Sequence, residues 1–177
     1  MNARIAVGVV AAVLVAGCSS SPEAPTPAPK AVASSPVNPL AGTYSTDPIP
    51  VTHLVDVARA AGFEEKDVAE LRAAYDGVQD VVYTLKLTDK LWVVFESRDG
   101  GTATDDWAGP YEVLDSTSVR AGSPPCGPIT YDYALAGDEL SLRMTDDQCP
   151  GPDGAVPAGE LIAQTTIYES GPYHRIG

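Results

Sequence analysis

The chain has 177 residues and a net charge of −13, from 11 basic and 24 acidic side chains, with 16 prolines. So acidic a balance lacks the basic stripe that nucleic-acid binding needs, and no nucleic-acid partner is expected. With 3 cysteines and 2 histidines in all, and no ligand spacing among them, neither a metal nor a cofactor is expected.

At the N-terminus one basic residue, Arg4, precedes an apolar run from Ile5 to Ala16. That is the pattern of a signal-peptide core, and it falls short of the roughly 20 apolar residues of a membrane-spanning helix. The run ends in Val15-Ala16-Gly17-Cys18, which resembles the lipobox of bacterial lipoproteins. The resemblance implies that residues 1–17 are removed as a signal peptide and that Cys18 receives a diacylglyceryl group and often a further chain such as palmitate. The protein would then be extracytoplasmic and lipid-anchored to the bacterial cell membrane, with the membrane as a partner through Cys18. At about 0.8 kcal/mol per buried CH₂, two or more chains hold stably. An ordinary cleaved leader with an incidental cysteine is the alternative.

Residues 18–39 argue against that alternative. Ser19-Ser20-Ser21 leads into Pro22, Pro25, Pro27, Pro29, Pro36 and Pro39, interleaved with Ala, Ser and Thr. Such a composition buries too little apolar surface to offset its ordering entropy and reads as a tether of partial polyproline II character. Assigning Cys18 to lipid also leaves Cys126 and Cys149 as a pair in an oxidising compartment. Only Arg4, Glu23 and Lys30 carry charge ahead of residue 40, so the acidity belongs to the domain at 40–177 and repels anionic headgroups.

That domain is long enough for one core. Gly42 to Thr46 reads as a strand stopped by Pro48 and Pro50. Thr52 is the expected N-cap of a helix with Leu54, Ala58 and Ala61 on one face, stopped at Gly62. A second helix opens on Glu64, Glu65 and Asp67, buries Val68, Leu71 and Tyr75, and closes at Gly77. Period-two alternation then takes over. Tyr83, Leu85 and Leu87 are expected to share an inner face with Leu91, Val93 and Phe95 across a three-residue loop, because a two-residue loop would bury Glu96 instead. Strands follow near Tyr111 to Val113 and Thr117 to Ala121.

Gly137-Asp138 predicts a type II′ hairpin that pairs Leu135 with Leu140, Tyr133 with Leu142 and Tyr131 with Met144 on one face. Asp132 with Arg143 and Thr130 with Thr145 fall on the other. The same register sets Cys126 opposite Cys149, and a disulfide between them is expected to contribute about 3 kcal/mol. A strand is expected near Ile162 to Tyr168, with helix as the alternative there, and a last strand at Tyr173 to Ile176. The fold class is therefore mainly β: an antiparallel up-and-down barrel with a two-helix lid between its first and second strands. An open curved sheet on helices is the second option.

The element order resembles the calycin superfamily, in which a first-strand G-x-W packs near a basic residue of the last strand. Gly42-Thr43-Tyr44 and Arg175 stand in those positions, with Tyr in place of Trp, and the helix pair is placed as in fatty-acid-binding proteins. The run from Cys126 through Cys149 also resembles small lipocalin-like modules of bacterial secreted proteins. The resemblance implies stacking of Arg175 on Tyr44 and an apolar interior for a small apolar or amphipathic ligand. Candidate ligand-binding residues are Tyr83, Phe95, Tyr131, Tyr133, Met144 and Arg175. A solidly packed interior is the alternative, leaving an accessory envelope lipoprotein that works through a protein or cell-wall partner.

No catalytic residue is expected. Neither His53 nor His174 sits in H-E-x-x-H, and no serine lies in G-x-S-x-G. Alternation points His174 outward if Tyr173 points in, which disfavours a haem ligand. Asp105-Asp106, Asp146-Asp147 and Asp153 lack calcium-loop spacing.

Overall fold

The computed structural model describes residues 38–122, 128–147 and 158–177. Strand β1 (Gly42–Ser45) is followed by β2 (Ile49–Pro50), which runs straight into helix α1 (Val51–Ala60). Pro50, not Thr52, is the N-cap, and no side chain caps the helix. The first helical N–H, on Val51, is instead taken by the Gln79 carbonyl at 2.9 Å. Leu54, Val55 and Ala58 form the buried face, while Ala61 is the C-cap. Gly62 then takes φ +87, the left-handed turn that a helix stop needs.

Helix α2 (Glu65–Ala74) buries Val68 and Leu71 and carries Glu65 and Asp67 in its first turn. Five consecutive antiparallel strands follow, β3 (Asp80–Leu87), β4 (Leu91–Arg98), β5 (Thr104–Val113), β6 (Ser118–Ala121) and β7 (Ile129–Ala136). Strand β8 (Glu139–Asp147), helix α3 (Ala158–Glu169) and strand β9 (Tyr173–Arg175) complete the described chain. In the sheet, β1 pairs with both β9 and β3, so the strands close on themselves. The result is a closed eight-strand antiparallel up-and-down barrel of calycin-like order with 3 helices, and β2 adds only a short extension along β3. Closure excludes the open sheet and removes both edges.

The hairpin at Gly137-Asp138 has the expected partners from Ala136↔Glu139 to Tyr131↔Met144, with Gly137 at φ +64. Beyond them a bulge shifts the register, so that Thr130 faces Asp146, not Thr145. Cys126 and Cys149 lie outside the described residues.

Two further expectations are corrected. In the β3–β4 hairpin, Leu87 pairs with Trp92, Leu85 with Val94 and Tyr83 with Glu96. Trp92, Val94 and Glu96 are therefore the inner face, while Leu91 is exposed and Phe95 sits on the outer side. The turn chemistry decides this register. Thr88 N–H donates to the Leu91 carbonyl at 2.9 Å and Thr88 Oγ1 accepts from Leu91 N–H at 3.0 Å, which leaves only Asp89-Lys90 in the loop. The buried carboxylate is accommodated because partners reach it from α2 and β4, as described below.

The second correction is the segment at Ile162 to Tyr168, which is helical and not a strand. Thr165, Thr166, Ile167 and Tyr168 are buried in succession, so the helix has no exposed stripe to set a 3.6-residue period there. Its hydroxyls bond within the helix, Thr166 Oγ1 donating to the Ile162 carbonyl at 2.8 Å and Ser170 Oγ to the Thr166 carbonyl.

The antiparallel registers place all helix-bearing connections at one mouth of the barrel and the tight turns at Asp89-Lys90, 114–117 and Gly137-Asp138 at the other. Helix α3 reaches down from its mouth. The Tyr168 ring lies 4.8 Å from Tyr131 and 5.3 Å from Trp92, centroid to centroid, and Trp92 lies 5.9 Å from Tyr111. With Tyr44, Tyr83 and Tyr173 fully buried as well, aromatic rings make up much of the interior.

Candidate functional site: a polar network and groove at the helix-bearing mouth

Glu96 is the one carboxylate that β4 presents to the inner face, and it is only 7% exposed. Its Oε1 pairs with Arg98 Nε, and its Oε2 accepts the Tyr75 hydroxyl at 2.7 Å. Tyr75 has a single proton and gives it to Glu96, so the 3.0 Å contact with Tyr83 Oη is a donation from Tyr83 to Tyr75. Burial raises the pKa of both phenols far above the usual tyrosine value, which keeps them as donors. Arg98 also donates through Nη1 to the Ala74 carbonyl at 3.1 Å, at the end of α2, and its guanidinium lies 4.5 Å from the Tyr75 ring centroid. One arginine thus closes the helix C-terminus, stacks on its last aromatic ring and neutralises the buried carboxylate.

Above this network lies an open groove of about 280 Å³ between α2, α3 and the β4–β5 rim. Leu71 and Ala74 line it from α2 and Ile162, Ala163 and Ile167 from α3, and Glu70, Glu96, Arg98 and Asp106 add charged groups to the lining. Asp106 owes its place to a β-bulge. Val94 pairs with Trp107 and Phe95 with Asp105, so Asp106 is the extra residue without a cross-strand partner. Asp106 is exposed overall, but partial desolvation of its carboxyl raises its pKa, the Glu96 charge adds to the rise, and Arg98 partly offsets it.

The candidates chosen from sequence are dispersed. Tyr83 is the inner end of the network, and Tyr131 packs against both Trp92 and Tyr168, tilted on the first and edge-to-face with the second. Tyr133 is buried and donates its hydroxyl to the Asp115 carbonyl at 3.1 Å, near the turn-bearing mouth. Met144 is half-buried, its N–H bound by Glu169 Oε1 at 2.9 Å. Phe95 faces outward. Arg175 faces Tyr44 across the β1–β9 ladder, 4.7 Å from its ring centroid, donating to the Tyr44 hydroxyl and, at 2.8 Å, to the Ala41 carbonyl.

Reading the sequence missed Tyr75, Glu96, Arg98, Asp106 and the α3 wall. The available signal was Glu96 at alternating spacing from Trp92 and Val94. A smaller pocket of about 220 Å³ unites the two histidines, His53 and His174, and His53 Nε2 is 3.0 Å from the Ser170 carbonyl oxygen. Among the described residues, no helix is long and apolar enough to cross a membrane, and no cluster of three or more His, Cys, Asp or Glu is placed to hold a metal ion.

The fold and this mouth define the chain as a closed β-barrel with a helix-walled groove. The chain matches no protein-family model, no curated protein and no solved structure.

Proposed function

We propose that this is an extracytoplasmic lipoprotein, anchored by acyl chains on Cys18 and closed by a Cys126–Cys149 disulfide, whose barrel is a binding module for a small amphipathic ligand. The groove carries this reading. It sets apolar side chains of α2 and α3 beside charged groups within about 280 Å³, just under the lower limit of ordinary ligand sites. The pattern of Arg4, the apolar run and Val15-Ala16-Gly17-Cys18 supports the anchor, and the proline-rich segment supports a domain held away from the bilayer. No catalytic role, metal or cofactor is assigned.

The second reading is an accessory envelope lipoprotein acting through a protein or cell-wall contact. The mutual edge-to-face and tilted packing of Trp92, Tyr131 and Tyr168 favours it, since these rings fill the interior against one another. The test is native mass spectrometry of the protein extracted from its own envelope in mild detergent, followed by organic extraction. A diacylglyceryl mass on the peptide beginning at Cys18, together with a stoichiometric small molecule, is the expected result. An acylated but empty protein would sink the carrier reading and leave the accessory one, and an unmodified Cys18 would remove the anchor.

A further inference from the structure

We propose that Asp76-Gly77, in the turn that ends α2, is a site of covalent modification: the Asp76 carboxyl condenses with the Gly77 amide nitrogen to a succinimide, which reopens to isoaspartate. Asp99-Gly100, between β4 and β5, has the same two residues and is held against the reaction. A third such pair, Asp153-Gly154, lies outside the described residues.

The step needs only the chain and water. The Gly77 nitrogen attacks Cγ of the protonated Asp76 carboxyl. An N–Cγ bond forms, a Cγ–O bond breaks, and the hydroxyl leaves with the amide proton as water. A second water then opens the ring. Addition at Cγ restores aspartate, whereas addition at the main-chain carbonyl leaves the backbone running through Cγ, longer by one methylene and unchanged in mass.

The two described pairs match in their glycines and differ in their carboxylates. Gly77 has φ +77 and Gly100 φ +68, and a Cβ at either would meet nothing within 4 Å, so neither nitrogen is shielded. Both aspartates are exposed. Asp99 Oδ1, however, accepts from Gln79 N–H at 2.9 Å and from Asp80 N–H at 3.0 Å, while Asp99 N–H donates to the Asp80 carbonyl at 2.9 Å. Those bonds tie the side chain to the start of β3. The Asp80 and Gln79 N–H groups also hold its carboxyl below the ordinary value, so the neutral form that can lose water is scarcer. The Asp76 carboxyl has no hydrogen bond or ion pair among the described residues and lines an open groove with Arg72 and Gln79.

The position gives the change a structural consequence. Val78 N–H donates to the Tyr75 carbonyl at 3.0 Å across Asp76-Gly77. Just before this turn Tyr75 reaches Glu96, and just after it the Gln79 carbonyl accepts Val51 N–H. An added methylene lengthens the link that ties α2 to the polar network and to the start of α1.

The test is incubation of the full chain, folded and in urea, at mildly acidic pH in water enriched in heavy oxygen, followed by peptide mapping. Isomerisation is read as a peptide of shifted retention that has taken up one heavy oxygen, located by fragmentation. In urea the two sites are expected to react at similar rates, and in the folded chain Asp76 should outpace Asp99 by at least about tenfold. Equal rates at the two sites in the folded chain would overturn the proposal, and so would the lack of product at Asp76 in both states.

Discussion

Tyr75, the residue that ends α2, donates its hydroxyl to Glu96 on the inner face of β4 at 2.7 Å, so one part-buried hydrogen bond ties a helix terminus to a barrel strand. Removing one member of such a network strands the other. Glu96→Leu leaves the Tyr75 hydroxyl without its acceptor and should cost about 2 kcal/mol, within the usual range for an orphaned buried donor. Arg98 is about half exposed and returns to water, which keeps the loss below that of a fully buried pair. Tyr75→Phe alone should cost about 1 kcal/mol, and the double variant should recover part of the sum. Urea denaturation of the four chains gives the coupling directly. Strict additivity would show that the hydroxyl and carboxylate do not act together.

Gly42 carries the second prediction. Its φ is +155, and a Cβ there would stand 2.6 Å from Arg175 Nη1 and 3.3 Å from the Tyr44 ring. The glycine therefore makes room for the guanidinium that closes the barrel on the β1–β9 side. Gly42→Ala should destabilise the fold by about 1–3 kcal/mol through backbone strain and displacement of Arg175. Combining it with Arg175→Ala, which removes the clashing atoms, should cost less than the two single changes added together. A thermal melt of Gly42→Ala matching the parent chain would contradict this account.

Residues that were legible from sequence share a feature: their partners lie nearby in the chain. Gly137-Asp138 sets the β7–β8 register as far as Met144, and Gly62 and Gly77 end their helices in left-handed turns. Tyr83, Tyr131 and Tyr133 follow from simple alternation, and each is buried. What escaped depends on distant partners or on broken periods. Glu96 looked too costly to bury because its partner Tyr75 stands 21 residues away. Phe95 was misplaced with it, since one residue of register turns every side chain of a strand to the other face. Helix α3 lost its period because its second half is buried on all sides, and Asp106 was hidden by the bulge that breaks alternation.

The turn between β5 and β6 yields a pH prediction. Asp115 Oδ1 accepts from Thr117 N–H at 2.7 Å, Thr117 Oγ1 at 3.0 Å and Ser118 N–H at 2.8 Å, which holds its carboxyl below the ordinary value of 3.8. A depressed folded pKa adds stability that is present above the unfolded value and lost as pH falls through the folded one. Asp115→Asn keeps one acceptor but no charge. It should be less stable than the parent near pH 7, and the two urea midpoints should converge as pH falls below the ordinary carboxylate value of 3.8 and through the lowered folded one. A gap that persisted unchanged into strong acid would mean that the Asp115 charge contributes nothing to the turn.

The last prediction concerns the open end of the β7–β8 hairpin. Its register holds from Ala136↔Glu139 to Tyr131↔Met144 and then shifts by one residue at the bulge, and Thr145 Oγ1 donates to the Thr130 carbonyl at 3.1 Å there. The two strands stay paired as far as Ile129↔Asp147, and in the sequence Cys126 and Cys149 stand shortly before and after that pair. A bond between those cysteines would close a loop of about two dozen residues around the hairpin and lower the entropy of the unfolded chain by the equivalent of about 3 kcal/mol. Non-reducing peptide mapping of the exported protein should give one linked Cys126–Cys149 peptide, and reduction should lower the urea midpoint and, by letting the unfolded chain expand, steepen the slope. Two free thiols in the map would remove the bond, and the hairpin would then be held without a crosslink, by its ladders and by contacts such as the Asp132–Arg143 pair at 2.7 Å.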